Sequence, residues 1–203
     1  MTAESSPDPE SSPDSSLDSS PDSFLDQPVR GFLDRLAART PTPGGGGAAA
    51  LTGAMAAGLV AMAARFSARQ LPEAGDLADE ADRLRYMASQ LVDMDARAYT
   101  RVLATRGPER EQALLGAAMI PLEIAALGAR VAQLAVRVAE AGNPNLRGDA
   151  VTGALLAAAS ARSAARLVDI NVRFGGLDPE LSQRAARAVA DAADAAERAG
   201  QEP

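Results

Sequence analysis

The chain has 203 residues, 47% of them hydrophobic but only 3% aromatic, so its core must be built from Ala, Leu, Val, Ile and Met. It contains no Cys, no His and no Lys, all 20 basic residues being Arg, which excludes disulfides, thiolate metal sites, a thiol nucleophile, a histidine base and Schiff-base chemistry. Residues 1–29 hold seven of the 27 acids and no base, so the net charge of -7 belongs to that segment and the neutral remainder argues against a nucleic-acid partner.

Residues 1–26 read as a disordered acidic tail rich in Ser, Pro and Asp, too polar to offset the entropy of ordering, and residues 27–203 as one helical domain. The tail lacks the basic and apolar regions of a secretory signal, so a cytoplasmic location is expected. From Gln27 to Arg39, Val29, Phe32, Leu33 and Leu36 fall at helical spacing and predict a short amphipathic helix. It ends at Thr40-Pro41, because the residue before a proline is pushed out of the helical region.

Thr40-Pro41-Thr42-Pro43 then leads into Gly44-Gly45-Gly46-Gly47, with Thr42 as the expected N-cap and Pro43 as the first helical residue. In a chain this rich in Ala, each Gly in a first helical turn gives up roughly 1 kcal/mol. The run is therefore either a hinge or a helix start stripped of Cβ atoms so that a ligand or a second backbone can approach. On the second reading, a Cβ at Gly45 or Gly46 lowers ligand affinity more than stability.

Gly44 to Ala64 carries no charge and by length alone would span a bilayer. Its few large apolar side chains, the flanking Arg39 and Arg65, and the lack of a second comparable stretch point instead to a central helix with no membrane partner. Gly53, Ala57, Gly58 and Ala61 would permit close helix contact there. Pro72, Glu73 and Asp76 open the next helix, which runs to about Thr105. Its stripe of Leu84, Ala88, Leu91, Asp95, Ala98 and Val102 alternates by four and three and contains one carboxylate, Asp95; Asp93 points roughly the other way.

Gly107-Pro108 breaks the chain before a helix reaching about Ala141, in which Pro121 predicts a kink or a restart near Met119. Its buried face is Ile120, Ile124, Leu127, Val131, Leu134 and Val138. The turn Gly142-Asn143-Pro144-Asn145 leads to Asp149 as the expected N-cap of a fifth long helix ending at Gly175-Gly176, and Asp178-Pro179-Glu180 opens the last. No period-two pattern occurs. The expected class is all-α, a bundle of about five long helices plus a short N-terminal one.

Singly, the Gly-rich turn, Asp95 and the Asn143 to Asp149 turn are each explained by structure alone: a hinge, an ion-pair partner, a cap. Together, Phe32-Leu33, Pro41-Thr42-Pro43-Gly44-Gly45-Gly46, Leu91-Val92-Asp93, Asp95-Ala96, Ala98-Tyr99, Ile120-Pro121-Leu122, Gly142-Asn143, Asp149 and Ile170-Asn171-Val172 resemble, in that order, the cyclodeaminase and methenyltetrahydrofolate cyclohydrolase family. That family includes the C-terminal half of formiminotransferase-cyclodeaminase. The resemblance implies a helical homodimer formed through long helices and a tetrahydrofolate derivative as substrate, with no further cofactor and no metal. It implies catalytic roles for Asp95 and Asp149, and substrate binding by Pro41, Thr42, Pro43, Gly44, Gly45, Gly46, Tyr99, Asn143 and Asn171. With no formiminotransferase half fused to it, the cyclohydrolase reaction is expected ahead of the cyclodeaminase reaction.

The chain departs from that family pattern in three places. Ala104-Thr105-Arg106-Gly107-Pro108 stands where a Leu-Pro-Lys element is usual, with Arg106 as the substitute cation for a folate tail; Gly148 stands in place of Ser, and Leu167 in place of Asn. These departures motivate the alternative of a catalytically degenerate homodimer that binds a ligand or a protein.

Overall fold

Alanine and glycine set the distances between helices in this protein. A computed structural model describes residues 23–201, so the expectation of disorder for residues 1–22 lies outside the described residues. Among the described residues six α-helices follow one another: α1 (Val29–Ala37), α2 (Gly45–Arg65), α3 (Ala74–Ala104), α4 (Gly107–Ala141), α5 (Arg147–Gly175) and α6 (Glu180–Gly200). No strand occurs among the described residues. The expected all-α class is the observed one.

The long helices interlock through residues without bulk. Helix α2 packs against α3, α4 and α5, while α4 also carries α3, α5 and α6. At Gly128 of α4 an added Cβ would stand 2.8 Å from the Ala157 carbonyl of α5, and at Gly153 of α5 it would stand 2.9 Å from Val60 of α2. Gly53 faces Ser160, whose buried hydroxyl donates to the Ala49 carbonyl at 2.8 Å. Because Gly153 meets the middle of α2 and Ser160 meets its beginning, α5 runs antiparallel to α2. Most of the α3 stripe is buried, with Leu84, Ala88, Leu91 and Val102 in the core.

Several details differ from the sequence-based expectations. Phe24–Asp26 forms a 3-10 turn inside the segment assigned to the tail, held by the Phe24 N–H donating to Asp93 at 2.9 Å. Helix α2 begins at Gly45 with Gly44 as N-cap and no side-chain cap, so Thr42 is not its cap and Pro43 is not its first residue; the Thr42-Pro43 peptide is cis. Helix α4 is continuous through Pro121, with no restart near Met119. Leu146, not Asp149, is the N-cap of α5, and Asp149 lies in its first turn.

Among the described residues positive φ appears at two glycines, Gly107 opening α4 and Gly176 closing α5, where a side chain would be strained. Two helices, Gly45–Arg65 and Gly107–Ala141, are long and apolar enough to cross a bilayer, the second against expectation. In both, more than half of the most apolar window is buried inside the bundle, which accounts for the apolar composition by helix packing.

Candidate functional site

The missing side-chain cap of α2 comes from another helix. Asp95, carried to the start of α2 by the α3 stripe, accepts the Gly47 N–H through Oδ2 at 3.1 Å. Gly47 is the third residue of α2, the amide that an N-cap side chain ordinarily satisfies. The rest of the carboxylate lies against Gly46, where a Cβ would overlap it. Glycine at 46 is thus required for Asp95 to reach the helix end.

Asp95 is half-buried. Burial pushes its carboxyl above the usual aspartate range, and the Gly47 amide pulls it back only in part. Two residues away on α3, Asp93 faces the opposite side, where it holds the Phe24 turn.

Beside Asp95 opens a cavity of about 300 Å³. The starts of α2, the second half of α3, the middle of α4 and the end of α5 converge on it. Of the residues expected to form a site, Pro41, Thr42, Gly44, Gly45, Gly46, Asp95, Tyr99 and Asn171 line this cavity. Pro43 is buried behind the turn, where it would touch a Cβ placed at Gly47.

Asn143 and Asp149 are not brought there. The Asn143 N–H donates to Ser67 Oγ at 2.8 Å, just past the C-terminal end of α2, which places it a whole helix length, roughly 30 Å, from the Gly-rich end. Its side chain is used in the turn: Oδ1 accepts the Asn145 N–H at 3.0 Å and Nδ2 donates to the Phe66 carbonyl at 3.2 Å. Asp149, in the first turn of the antiparallel α5, stands at that same end. Within one chain, neither meets Asp95.

Sequence reasoning also missed parts of the wall: Ala98, Ala117, Pro121, Leu167 and Ile170 line the cavity. Leu167, one of the departures from the family pattern, faces Gly45, whose added Cβ would lie 3.8 Å from it. Arg106 does not line the cavity; it donates to the Leu103 and Thr105 carbonyls at 3.0 and 2.8 Å. Pro121 carried a usable signal. A proline inside a helix leaves the carbonyl four residues earlier without its usual donor, and Asn171 Nδ2 donates to that carbonyl, Ala117 O, at 2.9 Å.

Comparison with known proteins extends this picture. A family model described as formiminotransferase-cyclodeaminase matches residues 28–191. A methenyltetrahydrofolate cyclohydrolase of Methylorubrum extorquens is 35% identical over 169 residues, covering 74% of this chain and 80% of that protein. The crystal structure of formiminotetrahydrofolate cyclodeaminase from Thermotoga maritima superposes with a TM-score of 0.81 at 25% identity, covering 87% of this chain and 95% of the other.

Proposed function

The chain belongs to the formiminotransferase-cyclodeaminase family, and from that premise we propose that it adds water to 5,10-methenyltetrahydrofolate to give 10-formyltetrahydrofolate. The observation that carries this reading is the half-buried Asp95 carboxylate at the rim of a cavity large enough for a pterin. The cyclohydrolase name of the 35% identical relative favours hydrolysis; ring closure with loss of ammonia, the reaction in the name of the structural neighbour, is the second reading.

The methenyl carbon sits between N5 and N10 and shares their positive charge, so it is electrophilic without a metal or redox cofactor. An ionised Asp95 attracts that cation and takes a proton from the attacking water as the C–O bond forms. The same proton then goes to N5 as the C–N5 bond breaks, and the hydroxyl proton leaves to solvent as the formyl C=O forms. In a protein without histidine a buried carboxylate is a suitable base, and burial raises the pKa of Asp95 toward that role. The Gly45 and Gly46 amides at the helix start, which donate to no protein group among the described residues, suit a carbonyl or carboxylate oxygen of the ligand.

The test is the loss of methenyltetrahydrofolate absorbance with purified protein, corrected for spontaneous hydrolysis. Turnover that disappears in Asp95→Asn supports the assignment; full turnover in that variant overturns it. Leu167 in the wall favours a second outcome, a degenerate member that binds folate without turning it over. The same reading includes a homodimer through the long helices and a cytoplasmic location. Met55 of α2, Phe66 just past its end and Leu155 of α5 are exposed apolar side chains suited to such a contact, and sedimentation measures the oligomeric state.

A further inference from the structure

Pro121 stands in the interior of α4 and has no N–H for the Ala117 carbonyl one turn earlier. Asn171 of α5 supplies the donor, Nδ2 to Ala117 O at 2.9 Å. Chemistry decides which end of the amide turns that way, because a carbonyl oxygen accepts only from the NH2 group. The other end, Oδ1, accepts no hydrogen bond among the described residues. It is also not sealed in the core, since no buried side-chain oxygen among the described residues lacks a partner.

Ala117, Pro121 and Asn171 all line the cavity that holds Asp95. We infer that Pro121 is a positioning residue that locks the Asn171 amide, so that Asn171 presents only an acceptor to the cavity and selects a ligand ring carrying an N–H there. With helical alanine at position 121 the Ala117 carbonyl would be satisfied within α4, and the Asn171 amide could turn either end to a ligand. With proline it has one orientation. The side chains lining the cavity contain no Arg; their donors are the hydroxyls of Thr42 and Tyr99, against the acceptors Asp95 and Asn171. Such a lining suits a cationic, N–H-bearing heterocycle, and it opposes a ring that offers a lone pair to Asn171, which would set oxygen against an acceptor with no proton between them.

The inference rests on the folate reading for the ligand, and it assigns to Asn171 an N–H of the pyrimidinone edge of the pterin. The test uses 5-formyltetrahydrofolate as a stable probe, two analogues (one without the 2-amino group, one methylated at ring N3), and the variants Asn171→Leu, Pro121→Ala and the double variant. Asn171→Leu is expected to weaken the parent probe about tenfold in both backgrounds, the loss of one buried hydrogen bond. At least one analogue is expected to bind wild type about tenfold more weakly than the parent, and to bind Asn171→Leu as well as the parent does. Asn171→Leu is expected to lower Tm with Pro121 in place and to lower it less in Pro121→Ala, where the restored N–H serves the Ala117 carbonyl.

Equal Tm losses in the two backgrounds overturn the lock. Unchanged probe affinity in Asn171→Leu, or analogue discrimination that survives it, overturns the ligand contact. Failure of wild type to bind the parent probe overturns the folate reading itself, before any substitution is made.

Discussion

Asp95 caps α2 across the fold: a carboxylate from the second half of α3 accepts the Gly47 N–H at 3.1 Å, a bond usually made from within the helix's own sequence. The same group is therefore a structural cap and the candidate base, and pH separates the two roles. Burial holds its folded pKa above the ordinary aspartate value, so the folded state favours the protonated form. Its contribution to stability is complete below the unfolded pKa and is lost as pH rises through the folded one. Asp95→Asn keeps an acceptor for Gly47 and cannot ionise, so its Tm relative to wild type is expected to rise with pH across that window. Turnover is expected to move the opposite way, increasing in wild type as Asp95 ionises and falling at least about a hundredfold in the variant. Thermal melts and absorbance assays over a pH series check both signs.

Gly45 and Gly46 should respond differently to the same added methyl. At Gly46 the Cβ overlaps the Asp95 carboxylate, so Gly46→Ala is expected to displace it from Gly47 and to reduce turnover about as much as Asp95→Asn. The helix propensity gained by alanine and the cap lost are each about 1 kcal/mol, so stability should change little. At Gly45 the Cβ makes ordinary contact with Leu167, 3.8 Å away across the cavity. Gly45→Ala is expected to be as stable as wild type or slightly more so, with ligand affinity lowered a few-fold. Equal effects at the two positions in parallel binding and melting experiments would contradict this account.

Asp93 provides the control two residues from Asp95. It accepts the Phe24 N–H at 2.9 Å, and the Arg35 guanidinium stacks over the Phe24 ring at 5.0 Å. Asp93→Ala is expected to cost about 1 kcal/mol and to speed hydrogen exchange of the Phe24 amide. Turnover should remain at the wild-type level.

Gly128→Ala tests the close approach of α4 and α5 away from the cavity. The new Cβ would stand 2.8 Å from the Ala157 carbonyl and 3.0 Å from Ala161 Cβ, and backbone cannot move aside as a side-chain tip can. Denaturant melts are expected to show a loss of about 1–3 kcal/mol. Activity per folded molecule at low temperature should be retained.

Much of this architecture is legible in residue spacing. Helices α2 to α6 begin and end within about three residues of their expected bounds, because Gly, Pro and the 3.6-residue repeat act locally. Asp95 stands out in the sequence as the carboxylate on an apolar stripe, and the Pro-Gly turn as a helix start without side chains. Within the chain Asn143 and Asp149 stand away from the cavity, and the reason the sequence does not show this is equally local. Asn and Asp before a helix serve turns as readily as ligands, and Asn143 spends both ends of its amide on Asn145 and Phe66.

The helices, their order and the apolar faces they must bury follow from local sequence, since each depends on neighbours within a turn or two. What meets at the cavity depends instead on contacts between helices far apart in the chain. Contacts at Gly53, Gly128 and Gly153 set the antiparallel pairing of α5 with α2 and its fit to α4. That pairing carries Asn171 to the Ala117 carbonyl and leaves Asp149 at the far end. Asp95 reaches the start of α2 because Gly46 has no Cβ, a condition visible in the sequence as one more glycine and given its meaning by a carboxylate 49 positions later.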